Sequence, residues 1–469
     1  MRFEEYRAHD AVGLAELVRK GQVSADELLE AAVARMAEVN PRINAVVRDM
    51  SDLARGATLA DGPLKGVPYL LKDLSASYAG VPSTAGSRLF AEVTPAADSA
   101  MTRLYKAAGL NIFGKTNTPE FGIWPVTEPH LLGACRNPWD LDRSPGGSSG
   151  GASAAVAAGI VPAAHATDGG GSIRIPAAAT GLFGMKPSRG RVSFAPAGEG
   201  WAGASIPHAV TRSVRDSAVL LDATCLPQPG DPYFLAPPER PYAEEVRRDP
   251  GKLRIGFFDG ALTAGRSLAP EVADAVRDAA RLCESLGHHV EPATLPGDHA
   301  AMQAAARTVL WASIANTIDA ECERRGRPLL DGEVEPVTRQ IAELGRRTAA
   351  PDYVRAVQTL HAWGRACAAL FEQYDVFLLA TLGSVAIPIN WLFEDPRLTN
   401  DRLFDYMPNT QAFNNSGQPA MTVPLAWREG DGLPIGIQFA AKMGDEAVLF
   451  RLAGQLEQAR PWFDRVAPL

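Results

Sequence analysis

No apolar run in the 469-residue chain approaches the roughly 20 residues that a membrane-spanning helix needs, so no membrane partner is expected. The opening stretch, MRFEEYRAHDAVGLAELVRKG, has no apolar centre of the signal-peptide kind. Cysteine is scarce: five residues, Cys135, Cys225, Cys283, Cys322 and Cys367, scattered and never spaced Cys-x-x-Cys. An odd, dispersed set argues against a disulfide framework and against a zinc knuckle. The histidines show no His-x-x-x-His spacing, so no metal is expected, and a reduced cytoplasmic enzyme is the natural default. Long basic runs are missing too, and the formal net charge is −8, which makes nucleic acid a poor candidate partner.

What the chain does contain is ordinary globular composition, 46% hydrophobic and 21% charged, enough for a sizeable core. Residues 1–60 read as N-terminal helices. SADELLEAAVARMAEVN opens on a Ser24-x-x-Glu27 capping box, with Leu28, Leu29, Ala32, Val33, Met36 and Val39 at helical spacing. GPLKGVPYLLKD supplies a short apolar strand. A helix capped by Asp98 and ended at Gly109 leads into a strand over Leu110–Phe113. Strands alternating with helices predict an α/β fold, a large, mixed, mostly parallel sheet with helices on both faces. The expected organisation is one domain over 1–469. Residues 61–200 form its motif-rich core, 200–375 a variable region mostly helical from 299 to 374, and 376–469 closing strands and a helix.

Two glycine tracts need explaining. SPGGSSGGASAAVAAG (Ser144 to Gly159) runs straight into a small-residue helix, which a flexible linker would not do. A phosphate cradle is also a poor fit, since neither tract has the P-loop lysine or the dinucleotide spacing. Gly147-Ser148-Ser149-Gly150-Gly151 satisfies the G-x-S-x-G elbow with Ser149 as nucleophile, but that elbow needs a strand directly before it. The preceding NPWDLDRSP is turn-like, and the elbow reading falls. The second tract, Asp168-Gly169-Gly170-Gly171-Ser172, follows the apolar strand IVPAAHAT. There a serine would sit at the carboxyl end of a strand, where α/β sheets bind ligands, beside glycine amides able to face an oxyanion. His165, inside that strand, reads as a hydrogen-bonded core residue. Lys72 ends VPYLLKD, where a lysine most often snorkels to the surface; the pattern alone leaves its role open.

GPLKGVPYLLKD, RSPGGSSGGASAAVAAGIVP and TDGGGSIRIPAAATGLFGMKP, in this order, together resemble the amidase signature family of serine hydrolases. FNNSGQPAMTVPLAW and GLPIGIQFAA resemble its closing segment. The resemblance implies a Ser–cis-Ser–Lys triad in which Lys72 is the base, Ser148 the bridging cis-serine and Ser172 the nucleophile. The implied oxyanion hole is the amides of Gly169, Gly170, Gly171 and Ser172, and Arg174 would tie the loop to nearby carboxylates. Most of the family carries Asp-x-Gly-Gly-Ser, so Gly169 is a small departure expected to loosen the loop slightly. WPVTEPHLLGACRNPWD and KPSRGR look most like the branch of 6-aminohexanoate cyclic dimer hydrolases and aryl-amide or carbamate hydrolases.

The implied activity is hydrolysis of apolar amides through an acyl-enzyme, with no cofactor, on a small-molecule amide or carbamate, and a homodimer is compatible with it. Carbamate or ester hydrolysis by the same triad, an amidotransferase subunit and a non-catalytic binding subunit are the alternatives. Candidate substrate contacts are Trp124, Thr127, Gly147 and Cys322, with Trp201, Trp311 and Trp391 in regions that could also line a pocket.

Overall fold

The computed structural model describes residues 1–469. Its strands are β1 (Val46–Asp49), β2 (Pro68–Lys72), β3 (Asn111–Thr116), β4 (Ala163–Asp168), β5 (Phe183–Lys186) and β6 (Ile206–Thr211), then β7 (Arg254–Phe258), β8 (His289–Pro292), β9 (Val376–Ala380), β10 (Ala420–Trp427) and β11 (Pro434–Ala441). All eleven join in one sheet, ordered β1-β3-β2-β4-β6-β5-β10-β11-β9-β7-β8. Residues of β2, β3, β4 and β9 are buried throughout, which is why these segments read as short apolar runs rather than alternating ones. No helix is long and apolar enough to cross a membrane.

The sheet is mixed and flanked by helices, as an α/β amidase-signature fold requires, but it is not mostly parallel. Six of the ten pairings run antiparallel. Parallel pairing is confined to β3–β2–β4 and β9–β7–β8. Strand–helix–strand crossovers lie behind much of that pairing, and only such connections force parallel neighbours. The centre is built differently: β10 and β11 form a hairpin, and β5 and β6 pair antiparallel after a long loop. The N-terminal region is likewise not all helix, since β1 caps one edge of the sheet against β3.

Local signals fare well where a cap or a glycine sets the boundary. The helix Ala25–Ile43 begins at the Ser24–Glu27 capping box. The helix expected to be capped by Asp98 is instead capped by Ser99, whose hydroxyl accepts from the Thr102 amide. Asp98 is spent one residue earlier, accepting from the Ala79 amide and from Lys106. The strand expected over 110–113 extends to Thr116. The 299–374 stretch is helical, as Asp298-capped His299–Arg325, then Pro336–Arg346 and Ala350–Leu370.

What positions the site is the parallel block. Lys72 lies across from Thr116 in the β2–β3 register, and β4 runs parallel to β2 on the other side. The carboxyl ends of three strands therefore open at one place, where Lys72, Thr116 and Asp168 end their strands.

Candidate active site

Lys72 is fully buried at the end of β2, not snorkelling. Its Nζ lies 2.7 Å from Ser148 Oγ, 3.0 Å from Ser149 Oγ and 3.0 Å from Thr167 Oγ1. Burial, opposed only by the nearby Asp168 charge, brings its pKa down to about 7; desolvation disfavours the ammonium over the amine. A neutral amine donates two hydrogen bonds and accepts one. Ser149 commits its own proton to the Thr167 carbonyl at 3.2 Å. It can therefore only receive from Lys72. The shortest of the three contacts, to Ser148, is the natural one to reverse, with the Ser148 hydroxyl donating to the amine lone pair.

The first glycine tract brings Ser148 there by close backbone approach. A Cβ on Gly147 would sit 2.6 Å from the Val126 carbonyl oxygen and 2.7 Å from that of Trp124. On Gly151 it would lie 2.3 Å from the Asn117 nitrogen. The Gly147–Ser148 peptide is cis. The helix Gly150–Ala157 behind it is small-residue and almost wholly buried, so alanine and glycine are what its surroundings admit. Ser149 is also completely buried, which removes the elbow reading on physical grounds: no substrate carbonyl could reach it.

Ser172 sits on the loop between β4 and the helix Arg174–Thr180 and is 9% exposed, against 2% for Ser148 and none for Lys72. Asp168 organises this loop. Its carboxylate accepts from the amides of Gly171 at 2.7 Å and Ile173 at 3.2 Å, and from Arg174 in bidentate fashion at 2.9 Å for both contacts. Burial opposes ionisation of Asp168, but the Arg174 guanidinium, Lys186 and the Asn414 amide together outweigh it and hold the carboxyl well below the usual range. Arg174 is fully buried. It also donates to the Thr410 carbonyl at 2.9 Å, Gln438 Oε1 at 2.5 Å and Asn414 Oδ1 at 2.5 Å.

The four amides expected to face an oxyanion are thus not equivalent. The Gly171 N–H is already donated to Asp168, leaving those of Gly169, Gly170 and Ser172 without a protein acceptor. Gly171 has φ +131°, and a Cβ there would meet Thr410 Oγ1 at 2.4 Å. Gly169 does not loosen the loop as expected. The Trp201 ring fills the space a side chain would need, with Cζ3 2.5 Å from an added Cβ.

The structure sorts the remaining candidates. Trp124 joins Trp391, Phe393 and Met407 around Val126, Ile175, Leu392 and Tyr406 in an apolar cluster beside the glycine loop. Trp124 and Phe393 meet edge to face at 4.9 Å. Thr127 is not a substrate contact: it is fully buried and donates to the Gly146 carbonyl at 2.9 Å, bracing the first tract. Gly147 is likewise covered by the 124–126 backbone. Cys322 packs with Ile318, Leu89 and Ala342 in a separate cluster and joins none of the Lys72 hydrogen bonds. Its distance in sequence from any glycine tract gave no means of placing it. Trp311 lies against the helix Pro336–Arg346, where its carbonyl would be 2.1 Å from a Cβ on Gly345.

His165 is buried, with Nδ1 accepting from the Lys72 amide at 3.3 Å. Burial, then the neighbouring Lys72 charge, lowers its pKa to about 3, so it stays neutral. No three His, Cys, Asp or Glu side chains gather as a metal-ligand set. Sequence reasoning missed Thr167, Thr410, Asn414 and Gln438. Thr167, Asn414 and Gln438 lay in segments already singled out, IVPAAHAT, FNNSGQPAMTVPLAW and GLPIGIQFAA, and only Thr410 lay outside them.

A buried lysine hydrogen-bonded to a serine on a glycine tract, with a second glycine loop bearing a serine at the end of the neighbouring strand, is the layout of an amidase-type serine hydrolase. Residues 27–450 match the family model described as Amidase, and the chain belongs to the amidase signature family; it is an amidase, a hydrolase. It is 38% identical over 474 residues to the 6-aminohexanoate-cyclic-dimer hydrolase of Paenarthrobacter ureafaciens, across 97% of this chain and 96% of that one. The solved structure of a 6-aminohexanoate cyclic dimer hydrolase complexed with substrate superimposes with a TM-score of 0.93 at 37% identity, over 98% of both chains. A bacterial aryl acylamidase of the amidase signature family gives 0.88 at 27% identity, over 98% of this chain and 99% of that one.

Proposed function

We propose that the protein hydrolyses uncharged, apolar amides, linear or cyclic aminohexanoate-type amides and anilides, through an acyl-enzyme on Ser172. The observation that carries this reading is the 2.7 Å contact between the buried Lys72 Nζ and Ser148 Oγ. Neutral Lys72 takes the Ser148 proton as Ser148 takes that of Ser172, and Ser172 attacks the carbonyl carbon. The developing oxyanion faces the amides of Gly169, Gly170 and Ser172, each such donor typically worth about 10²–10³ in rate. The relay then runs back to protonate the departing amine, and water, activated the same way, releases the acid. Asp168 and Arg174 hold the loop and stay out of the chemistry.

The preference for apolar substrate rests on the cluster of Trp124, Trp391, Phe393 and Met407 against Ile175. Burying apolar surface there contributes about 25 cal/mol per Å². The kinship with cyclic-dimer hydrolases and an aryl acylamidase supports the same class. The reading includes a small-molecule substrate and a reducing cytoplasmic setting, which fractionation of the native host would test. A fluorophosphonate should label Ser172, and Ser172→Ala should abolish anilide turnover at unchanged melting temperature. Labelling on another serine, or substantial turnover by Ser172→Ala, would sink the assignment.

A further inference from the structure

The residue at 169 has no side chain because an indole stands in its place. Trp201 Cζ3 and Cε3 lie 2.5 Å and 2.7 Å from where a Cβ on Gly169 would be, so the ring rests directly on the loop that bears the oxyanion amides. The chain bends sharply to put it there. Trp201 and Ala202 both take left-handed backbone conformations, φ +58° and +53°. The turn is closed by Ser205 N–H donating to the Gly200 carbonyl at 3.0 Å. Consecutive non-glycine residues at positive φ are uncommon, and such conformations gather at functional sites. The ring is only partly buried. It packs beside the cluster of Leu262, Trp363 and Phe413, distinct from the Trp124 cluster.

One residue further on, the loop faces open space. A Cβ on Gly170 would have nothing nearer than Met407 Cε at 3.9 Å. Met407 belongs to the Trp124 side and Trp201 to the other, so the free amides lie between two apolar bodies. Chemistry assigns the halves of a substrate to them. The leaving amine must take its proton from Ser148, and Ser148 is flanked by the backbone of 124–126 through Gly147 and by Gly122, whose added Cβ would lie 3.2 Å from Ser148 Oγ. The amine half therefore belongs on the Trp124 side. With the carbonyl oxygen on the amides of Gly169, Gly170 and Ser172, the acyl half is directed along the loop toward Gly169.

We infer that Trp201 is the acyl-side specificity residue, an indole wall laid against the oxyanion loop that selects apolar acyl groups, methylene chains or aryl rings. Gly169 is kept bare so that the wall can close. This rests on the proposed Ser172 mechanism and adds to it which half of the substrate each wall reads.

Two substrate series test it on the purified full-length enzyme: 4-nitroanilides of acids from acetyl to octanoyl, and hexanoyl amides of different amines. Trp201→Ala should flatten the acyl series, losing roughly 10-fold or more in kcat/KM for the long chains with acetyl little changed, and leave the amine series parallel to wild type. Trp201→Phe should recover part of the acyl preference. Gly169→Ala should be impaired, and adding Trp201→Ala to it should restore activity, because the collision is with that ring. An acyl series unchanged in Trp201→Ala, an amine series flattened instead, or both falling by one common factor overturns the inference. A dead Ser172→Ala beside an unchanged acyl series overturns it alone; a Ser172→Ala that turns over removes the nucleophile and this inference with it.

Discussion

The two glycine–serine tracts look interchangeable on paper and are opposites in space. Around Ser148 the glycines are crowded: side chains at 147, 150 or 151 would run into backbone at 124–126 and at Asn117, or into Thr127. Around Ser172 the glycine that matters most, Gly170, borders open space. Glycine in the first tract lets chain segments pack closely; in the second, Gly169 and Gly171 admit Trp201 and Thr410 in the same way, and Gly170 alone has open space beside its amide. The same residue type thus buries one serine at 2% exposure and leaves the other at 9%. One lies within hydrogen-bond reach of a lysine, and the other sits on the loop that follows β4.

The largest effect that separates the two is expected at Lys72, on which the crowded tract converges. Lys72→Met should lower kcat by several orders of magnitude, since members of a relay fail as a unit. In wild type, kcat/KM should rise through pH 7 as the amine loses its proton and level off above it, because burial brings the Lys72 pKa down to about 7. A rise centred near pH 10 would remove the buried-amine account. The same shift has a stability sign. Between about pH 7 and the usual lysine value the unfolded chain binds the proton and the folded chain does not, so this site's contribution to stability grows with rising pH. Urea denaturation of wild type and Lys72→Met at several pH values should show wild type gaining on the variant across that window, with the difference flat at its lowest value below it.

Smaller is the effect of an added methyl in each tract. Gly147→Ala forces a Cβ to within 2.6 Å of the Val126 carbonyl oxygen and should cost about 1–3 kcal/mol of stability by overpacking, read as a lowered melting temperature. Gly170→Ala has the space and should melt with wild type. Its loss should appear in KM and kcat for amide substrates, as the smallest change of the three. Equal melting losses for the two variants would break the distinction between packing glycines and open ones.

How much of this was legible beforehand follows the same division. Lys72, Ser148 and Ser172 stand in motifs and so could be proposed from the sequence, and the fold brings Lys72 and Ser148 within 2.7 Å; the elbow at Ser149 could be set aside because no strand precedes it. Thr127 was misread, since a threonine in an apolar loop gives no sign of whether it faces a ligand or, as here, a glycine carbonyl 19 residues on. Cys322 is harder to place for a related reason: a helix in the variable region can present any of its faces, and the fold sets this one in the cluster that holds Leu89 and Phe121. The antiparallel centre was hidden because strand–helix alternation predicts parallel neighbours, while β10 and β11 come from the far end of the chain and are inserted between β5 and β9. Gly171 illustrates a limit of motif reading. All three glycines look like free donors, and only the fold shows that Asp168 has claimed one.

The Arg174 guanidinium has a bearing on timing. It joins Asp168, six residues behind it, to the Thr410 carbonyl, Asn414 and Gln438, more than two hundred residues ahead. The loop that presents Ser172 is therefore fastened by parts of the chain that leave the ribosome more than two hundred residues later. Ser172 is made well before its loop can be fastened, so on the proposed mechanism a chain that stops short of residue 410 carries the serine without the means to use it. Fluorophosphonate labelling of ribosome-bound chains halted at increasing lengths should stay silent until residue 438 has emerged, and labelling of chains halted before residue 410 would show that the loop can set without its fastening.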